Sequence, residues 1–235
     1  MIDSIGDKNI SAWVMPQCFV EINEGPYKYD KQGHIIAMPG SYLHWRCPTL
    51  AEMRWQIWET FRGEAKGAIV FQLSSIMWRI DPAVTTTLPA TSRPEVSKEA
   101  IIKTPTDAGP SSLTTIDGKV TLQFQELGKV YKTISPFTPI IHRWKATSLL
   151  LVQAESPGSS QCFIDPKTGR KYAIVVNDDL NSRQAIRLAV ETGTKKIMDL
   201  VTGKQIPLKN YFADGNSEAT ISLEAGAGTI LEINN

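Results

Sequence analysis

The sequence predicts an α/β segment over residues 1–146, followed by an all-β antiparallel sandwich over residues 147–235. Three observations carry this prediction. Between Ala12 and Leu73 an apolar run, an amphipathic run and a second apolar run follow one another. A further amphipathic run with helical period spans Lys119 to Ser135. From Ser148 onward the runs become short and strand-like, separated by Gly, Pro, Asn and Asp.

Ala12 to Phe19 (AWVMPQCF) combines aromatic and β-branched residues in a short apolar run, as a buried strand does. The segment 21–47 that follows is rich in turn formers and aromatics and reads as a loop. It exceeds the roughly 12–15 residues of ordinary connections, and loops of that size are commonly functional. Thr49 and Glu52 then form a capping box (T-L-A-E) that opens a helix. Leu50, Met53, Ile57, Trp58 and Phe61 recur at three- and four-residue spacing and give that helix one apolar face. Arg62-Gly63, with Gly67, supplies the stop, because glycine accepts the left-handed conformation on which helices end. Ala68 to Leu73 (AIVFQL) is a second strand with little alternation, as expected where both faces are covered in a parallel sheet. Strand, crossover helix and strand make a βαβ unit.

Residues 74–117 are rich in Pro, Ser and Thr and read as an excursion with a short helix around Pro94 to Lys103. In the second helix Val120, Phe124, Leu127, Tyr131 and Ile134 repeat at four-three-four-three spacing, and Pro136 and Pro139 end or kink it. In the last part, 149–155, 161–165, 171–177, 183–191, 196–201, 219–224 and 229–233 read as strands, with a further one around Gln205 to Leu208. About seven strands is the usual inventory of such a sandwich. The Ala225 to Gly228 run (AGAG) lies between two strands and reads as a hairpin turn, since no helix follows it to hold a nucleotide.

Composition excludes several classes. Hydrophobic content of 42% and charged content of 21% are those of an ordinary globular chain with a core. A formal net charge of +1 gives no electrostatic reason to expect nucleic acid. No apolar run reaches the ~20 residues of a membrane span, and MIDSIGDKNI lacks the pattern of a signal peptide. Cys18, Cys47 and Cys162 are odd in number and widely spaced, so buried free thiols are expected rather than zinc ligands or disulfides. His34, His44 and His142 lack ligand spacing, and no cofactor or metal is expected. Asn177, Asp178, Asp179 and Asn181 read as a polar turn, with calcium as the minor alternative. No GxSxG elbow, P-loop or HExxH is present.

Several stretches resemble the carboxy-terminal part of (β/α)8-barrel glycoside hydrolases. PTLAEMRWQIWETFRGEAKGAIVFQL is similar to the helix that leads into barrel strand eight. TIDGKVTLQFQELGKVYKTISPFTPII is similar to the final barrel helix, with Val120 where a proline is expected. MDLVTGKQIPL and ISLEAGAGTILEI resemble the sandwich that closes many of these enzymes. The resemblance implies an α/β partial barrel (βαβα, the end of a TIM-type barrel) over 1–146, with strands seven and eight at 12–19 and 68–73, and a closing sandwich over 147–235. It implies a carbohydrate partner, and a missing barrel portion or a second copy of the chain to complete the sheet. It also implies an extracellular or periplasmic location if the chain belongs to an exported glycosidase.

Glycosidases use two carboxylates about 5–9 Å apart, and barrel enzymes place their catalytic groups at the carboxy ends of strands. The strand-seven end here carries Gln17, which cannot act as a carboxylate nucleophile, with Glu21 next along as the catalytic candidate. The proton donor would come from strand four, which this sequence does not contain. Binding residues implied by the loops are Trp45 and Trp78 as stacking rings, beside Tyr27, Tyr29 and Tyr42, with Gln17, Gln72 and Asp81 as hydrogen-bonding groups. Trp45 reads equally as core packing, and Trp55 and Trp58, on the helix itself, read as core or barrel-surface residues. Two functions stay open: a glycoside-hydrolase fragment that is catalytically incomplete by itself, or a non-catalytic carbohydrate-binding or structural module.

Overall fold

The computed structural model describes residues 12–16, 21–23, 27–29, 31, 35–37, 42–45, 48–70, 78–80, 113–114, 119–210 and 217–234. The chain divides into two compact units. The first gathers Met1–Pro16, Ala51–Ile69 and Leu127–Asn235, and the second Gln17–Leu50 and Val70–Glu126. The structure is rich in β-strands, most of them paired antiparallel.

In the first unit, β1 (Trp13–Val14) pairs parallel with β6 (Gly67–Ala68). Of the two expected strands, residues 12, 15–16 and 69–70 are described but lie outside β1 and β6, and residues 17–19 and 71–73 lie outside the described residues. Helix α1 (Leu50–Arg62) begins where the capping sequence places it, with acidic Glu52 in its first turn and basic Arg62 in its last, the polarity its dipole favours. It buries Ala51, Met53, Ile57, Trp58, Thr60 and Phe61. Its end differs from the expectation. The left-handed residue is Glu64 (φ 67°) rather than Gly63 or Gly67. The Ala65 N–H donates to the Thr60 carbonyl and the Glu64 N–H to the Phe61 carbonyl, the two bonds of a Schellman termination.

Helix α2 (Leu122–Ile134) starts three residues after the expected Lys119. Thr121 sets the start: its hydroxyl accepts the Phe124 N–H at 3.2 Å as an N-cap and donates to the Leu113 carbonyl at 2.9 Å. The buried stripe is Leu127, Val130 and Ile134, while Val120 and Phe124, read from the sequence as part of the apolar face, are exposed. The prolines act as expected. A 3-10 turn (Ser135–Phe137) and a short helix α3 (Thr138–Ile141) replace a continued α2.

The sandwich is built from ten described strands: β8 (Lys145–Ala146), β9 (Val152–Ala154), β10 (Gly158–Ile164), β11 (Lys171–Asn177), β12 (Gln184–Val190), β13 (Lys196–Asp199), β14 (Lys204–Ile206), β15 (Lys209–Asn210), β16 (Ser217–Leu223) and β17 (Gly228–Asn234). They form a six-stranded sheet, ordered β14-β13-β17-β11-β10-β8, and a four-stranded sheet, ordered β15-β16-β12-β9. The expected Thr-Gly hairpin is present, with Asp199 opposite Lys204 across β13 and β14. The Ala225–Gly228 run is not a hairpin. β16 pairs with β12 and β15, whereas β17 pairs with β11 and β13, so the run arches from one sheet to the other.

Side chains alternate accordingly. Ala173, Val175, Ile186, Leu188, Val190, Ile197, Ala219, Ile221, Leu231 and Ile233 meet in one core between the sheets. Cys162 joins that core, its Sγ donating to the Val152 carbonyl at 3.3 Å, and desolvation holds its pKa above the usual thiol value. The opposite face of the six-stranded sheet is covered too, which explains why β11 is buried along nearly its whole length. There the Trp144 ring stacks on Phe163 at 4.4 Å and tilts against Tyr172 at 6.1 Å. Trp58 of α1 lies against Gly228, where a Cβ would sit 2.5 Å from the indole. The β9 edge is closed by side chains instead of a strand: Ser160 Oγ accepts the Ala154 N–H and donates to the Val152 carbonyl.

Helix α1 is anchored on the arch itself. Arg54 donates to the Ala225 carbonyl from Nε at 3.0 Å and Nη2 at 2.8 Å. Gly226 (φ 65°) lies so close that a Cβ would sit 2.1 Å from the Ala51 carbonyl oxygen. Gly203 also has positive φ (69°), but open space where its Cβ would be. Both Gly→Ala changes incur the left-handed penalty of about 1–2 kcal/mol. Gly226→Ala is expected to cost about 1–3 kcal/mol more, as overpacking does, read as a lower urea midpoint at unchanged slope. Equal midpoints for the two variants would show that α1 does not rest on the arch. A second measurement tests the core: in the native chain Cys162 should resist alkylation, followed by mass on its peptide, and react fully once urea unfolds the sandwich.

Candidate functional site

All six residues selected from the sequence belong to the second unit: Gln17, Glu21, Trp45, Gln72, Trp78 and Asp81. Gln17, Gln72 and Asp81 lie outside the described residues. The other three stand on strands. The segment 21–47, expected to be a loop, contains β2 (Glu21–Asn23), β3 (Tyr27–Tyr29), β4 (Ile35–Ala37) and β5 (Tyr42–Trp45). β2 pairs antiparallel with β5, and in that register Glu21 stands opposite Trp45 and Asn23 opposite Tyr42. β3 pairs antiparallel with β4, and β4 pairs parallel with β7 (Trp78–Ile80), which sets Trp78 opposite Ile35. The backbone thus brings Glu21 and Trp45 to one rung and holds Trp78 in another sheet.

In the first unit, the β1–β6 pair is held by polar contacts around its ends. The Lys66 N–H donates to the Ala12 carbonyl and the Ile69 N–H to the Val14 carbonyl, each at 2.9 Å. The Lys66 ammonium donates to the carbonyls of Ile141 at 3.1 Å and Trp144 at 2.9 Å, satisfying acceptors at and just past the end of α3. Burial pushes its pKa below the ordinary lysine value. Tyr131 donates to the Ala68 carbonyl at 3.4 Å, and Glu64 accepts the Ala146 N–H at 2.9 Å. The Trp13 ring lies over Gly67, where a Cβ would approach it to 2.5 Å.

A polar cluster joins α1 to the sandwich. Asp178 accepts Trp55 Nε1–H at 2.8 Å and the Ser159 hydroxyl at 3.2 Å. Glu59 holds Arg62 through two bonds, of 2.5 and 2.6 Å, and hydrogen bonding to Glu59 raises the Arg62 pKa. These carboxylates are engaged by protein donors, and so are the others in the turn read from the sequence as polar. Asn177 donates to the carbonyls of Ser182, Leu223 and Glu224. Asp179 accepts the Ser182 hydroxyl at 2.7 Å, the Asn181 N–H at 2.8 Å and the Gln184 amide at 2.5 Å. The Ser182 hydroxyl first, then the Asn181 N–H and Gln184, hold its pKa down to about 2. Asp165 is likewise held down to about 2, chiefly by Arg143 at 2.9 Å and then by the Lys167 N–H. Apart from the Glu59–Arg62 pair, which lies within one turn of α1, these contacts join residues from separate parts of the chain or depend on turn geometry.

No family model matches the chain, and no curated protein matches it significantly. Solved structures do match. An α-fucosidase from Thermotoga maritima in complex with a mechanism-based inhibitor aligns at 10% identity and a TM-score of 0.39, over 80% of this chain and 35% of that one. An α-amylase from Anoxybacillus aligns at 13% identity and a TM-score of 0.39, over 79% of this chain and 32% of that one. An α-L-fucosidase aligns at 16% identity and a TM-score of 0.32, over 52% of this chain and 28% of that one. The chain therefore spans no more than 35% of the length of these proteins.

The two depressed carboxylates predict an acid dependence. Each contributes stability that is present above the ordinary carboxylate pKa of about 4 and is lost as pH falls through the folded value near 2. Asp165→Asn should lower the urea midpoint at pH 7, and its gap to the parent should close between about pH 4 and pH 2. A gap that stays constant over that range would refute the Arg143–Asp165 contribution.

Proposed function

We propose that this chain is a carbohydrate-recognising, glycoside-hydrolase-like segment, in which residues 1–146 correspond to the last units of a (β/α)8 barrel and residues 147–235 to its closing sandwich. One observation carries the reading. The parallel pair β1–β6 belongs to the first unit, and the chain passes into the second unit just beyond the carboxy end of each strand, at Gln17 and at Val70. Excursions from the carboxy ends of parallel strands are where α/β proteins carry their binding and catalytic groups. Every residue that the sequence singled out for carbohydrate lies on those excursions. Further support comes from the order of elements, since strand, helix, strand, proline-broken helix and sandwich follow one another as the sequence resemblance implies.

On this reading Trp45 and Trp78 supply stacking rings, Gln17, Gln72 and Asp81 supply hydrogen bonds to sugar hydroxyls, and Glu21 is the catalytic carboxylate. Catalysis by this segment alone lacks a second carboxylate assigned to the reaction, and two parallel strands leave a barrel unclosed. A non-catalytic carbohydrate-binding module is the second reading, favoured by Gln17, an amide rather than a carboxylate where the chain leaves the first unit after β1.

Titration of the purified chain with neutral mono- and oligosaccharides, followed by tryptophan fluorescence and calorimetry, tests the shared premise. Saturable binding is expected, weakened by Trp45→Ala or Trp78→Ala by about 0.5–1.5 kcal/mol each, roughly two- to twelve-fold. Aryl glycosides should not turn over. Hydrolysis abolished by Glu21→Gln would overturn the incompleteness of the site, and absence of binding to every sugar would overturn the carbohydrate reading.

A further inference from the structure

We draw no further inference here: the strongest candidate, the apolar face that Trp13, Met15 and Ile69 expose on the β1–β6 parallel pair, carries nothing because no described residue shows what covers it.

Discussion

The Arg54 guanidinium and the Ala225 carbonyl hold α1 to the sandwich, and the packing of the helix over the arch turns on that contact. A carbonyl outside the β-ladders keeps both lone pairs for the guanidinium. Ala225 is free because it sits in the arch between sheets rather than in a hairpin. The approach also demands bare backbone at Gly226 and Gly228, one beneath the Ala51 carbonyl and the other beneath the Trp58 ring. With the helix in place, the second face of the six-stranded sheet loses contact with water. β11 can then carry Tyr172, Ala173, Ile174, Val175 and Val176 in unbroken succession without exposing an apolar surface.

The same anchoring sets the position of the parallel pair. α1 ends in a Schellman turn at Glu64, whose side chain reaches the Ala146 N–H, and Lys66 then reaches the carbonyls of Ile141 and Trp144. The chain is therefore tied to the α3–β8 region from both sides before β6 begins. Glu64 accepts a left-handed backbone although it is not glycine, and its hydrogen bond to Ala146 is an interaction that glycine could not make there.

Elements whose determinants are local were legible in the sequence. The capping pair Thr49 and Glu52, the prolines at 136 and 139, and the Thr-Gly turn each act within a few residues, and the corresponding elements stand close to the expected places. Features set by distant partners were not. AGAG reads as a hairpin because the two flanking runs are adjacent, yet their partners, β12 and β11, are chosen by the two-sheet core. The exposed Val120 fits the α2 period but precedes the cap at Thr121, whose bond to Leu113 no periodicity reveals. The aromatics of 21–47 read as a loop because runs of three residues between turn formers fall below the length at which alternation can be recognised.

The same contrast bears on the candidate site. Gln17, Glu21, Trp45, Gln72, Trp78 and Asp81 were chosen for chemistry and for nearness in sequence to two strand ends, and a strand end is a local feature. Whether they converge is a question of register, and the Glu21–Trp45 rung is the one pairing among them that the described backbone makes. That rung sets an acidic residue on one strand opposite an aromatic one on its neighbour. It is not by itself a hydrolytic arrangement, because cleavage of a glycosidic bond requires a second carboxyl group across the bond. Glu59, Asp165, Asp178 and Asp179, among the carboxylates with partners, are engaged in holding turns and the helix. The register therefore fixes one rung among the six residues, Glu21 opposite Trp45, and pairs no second carboxylate with it among the described residues.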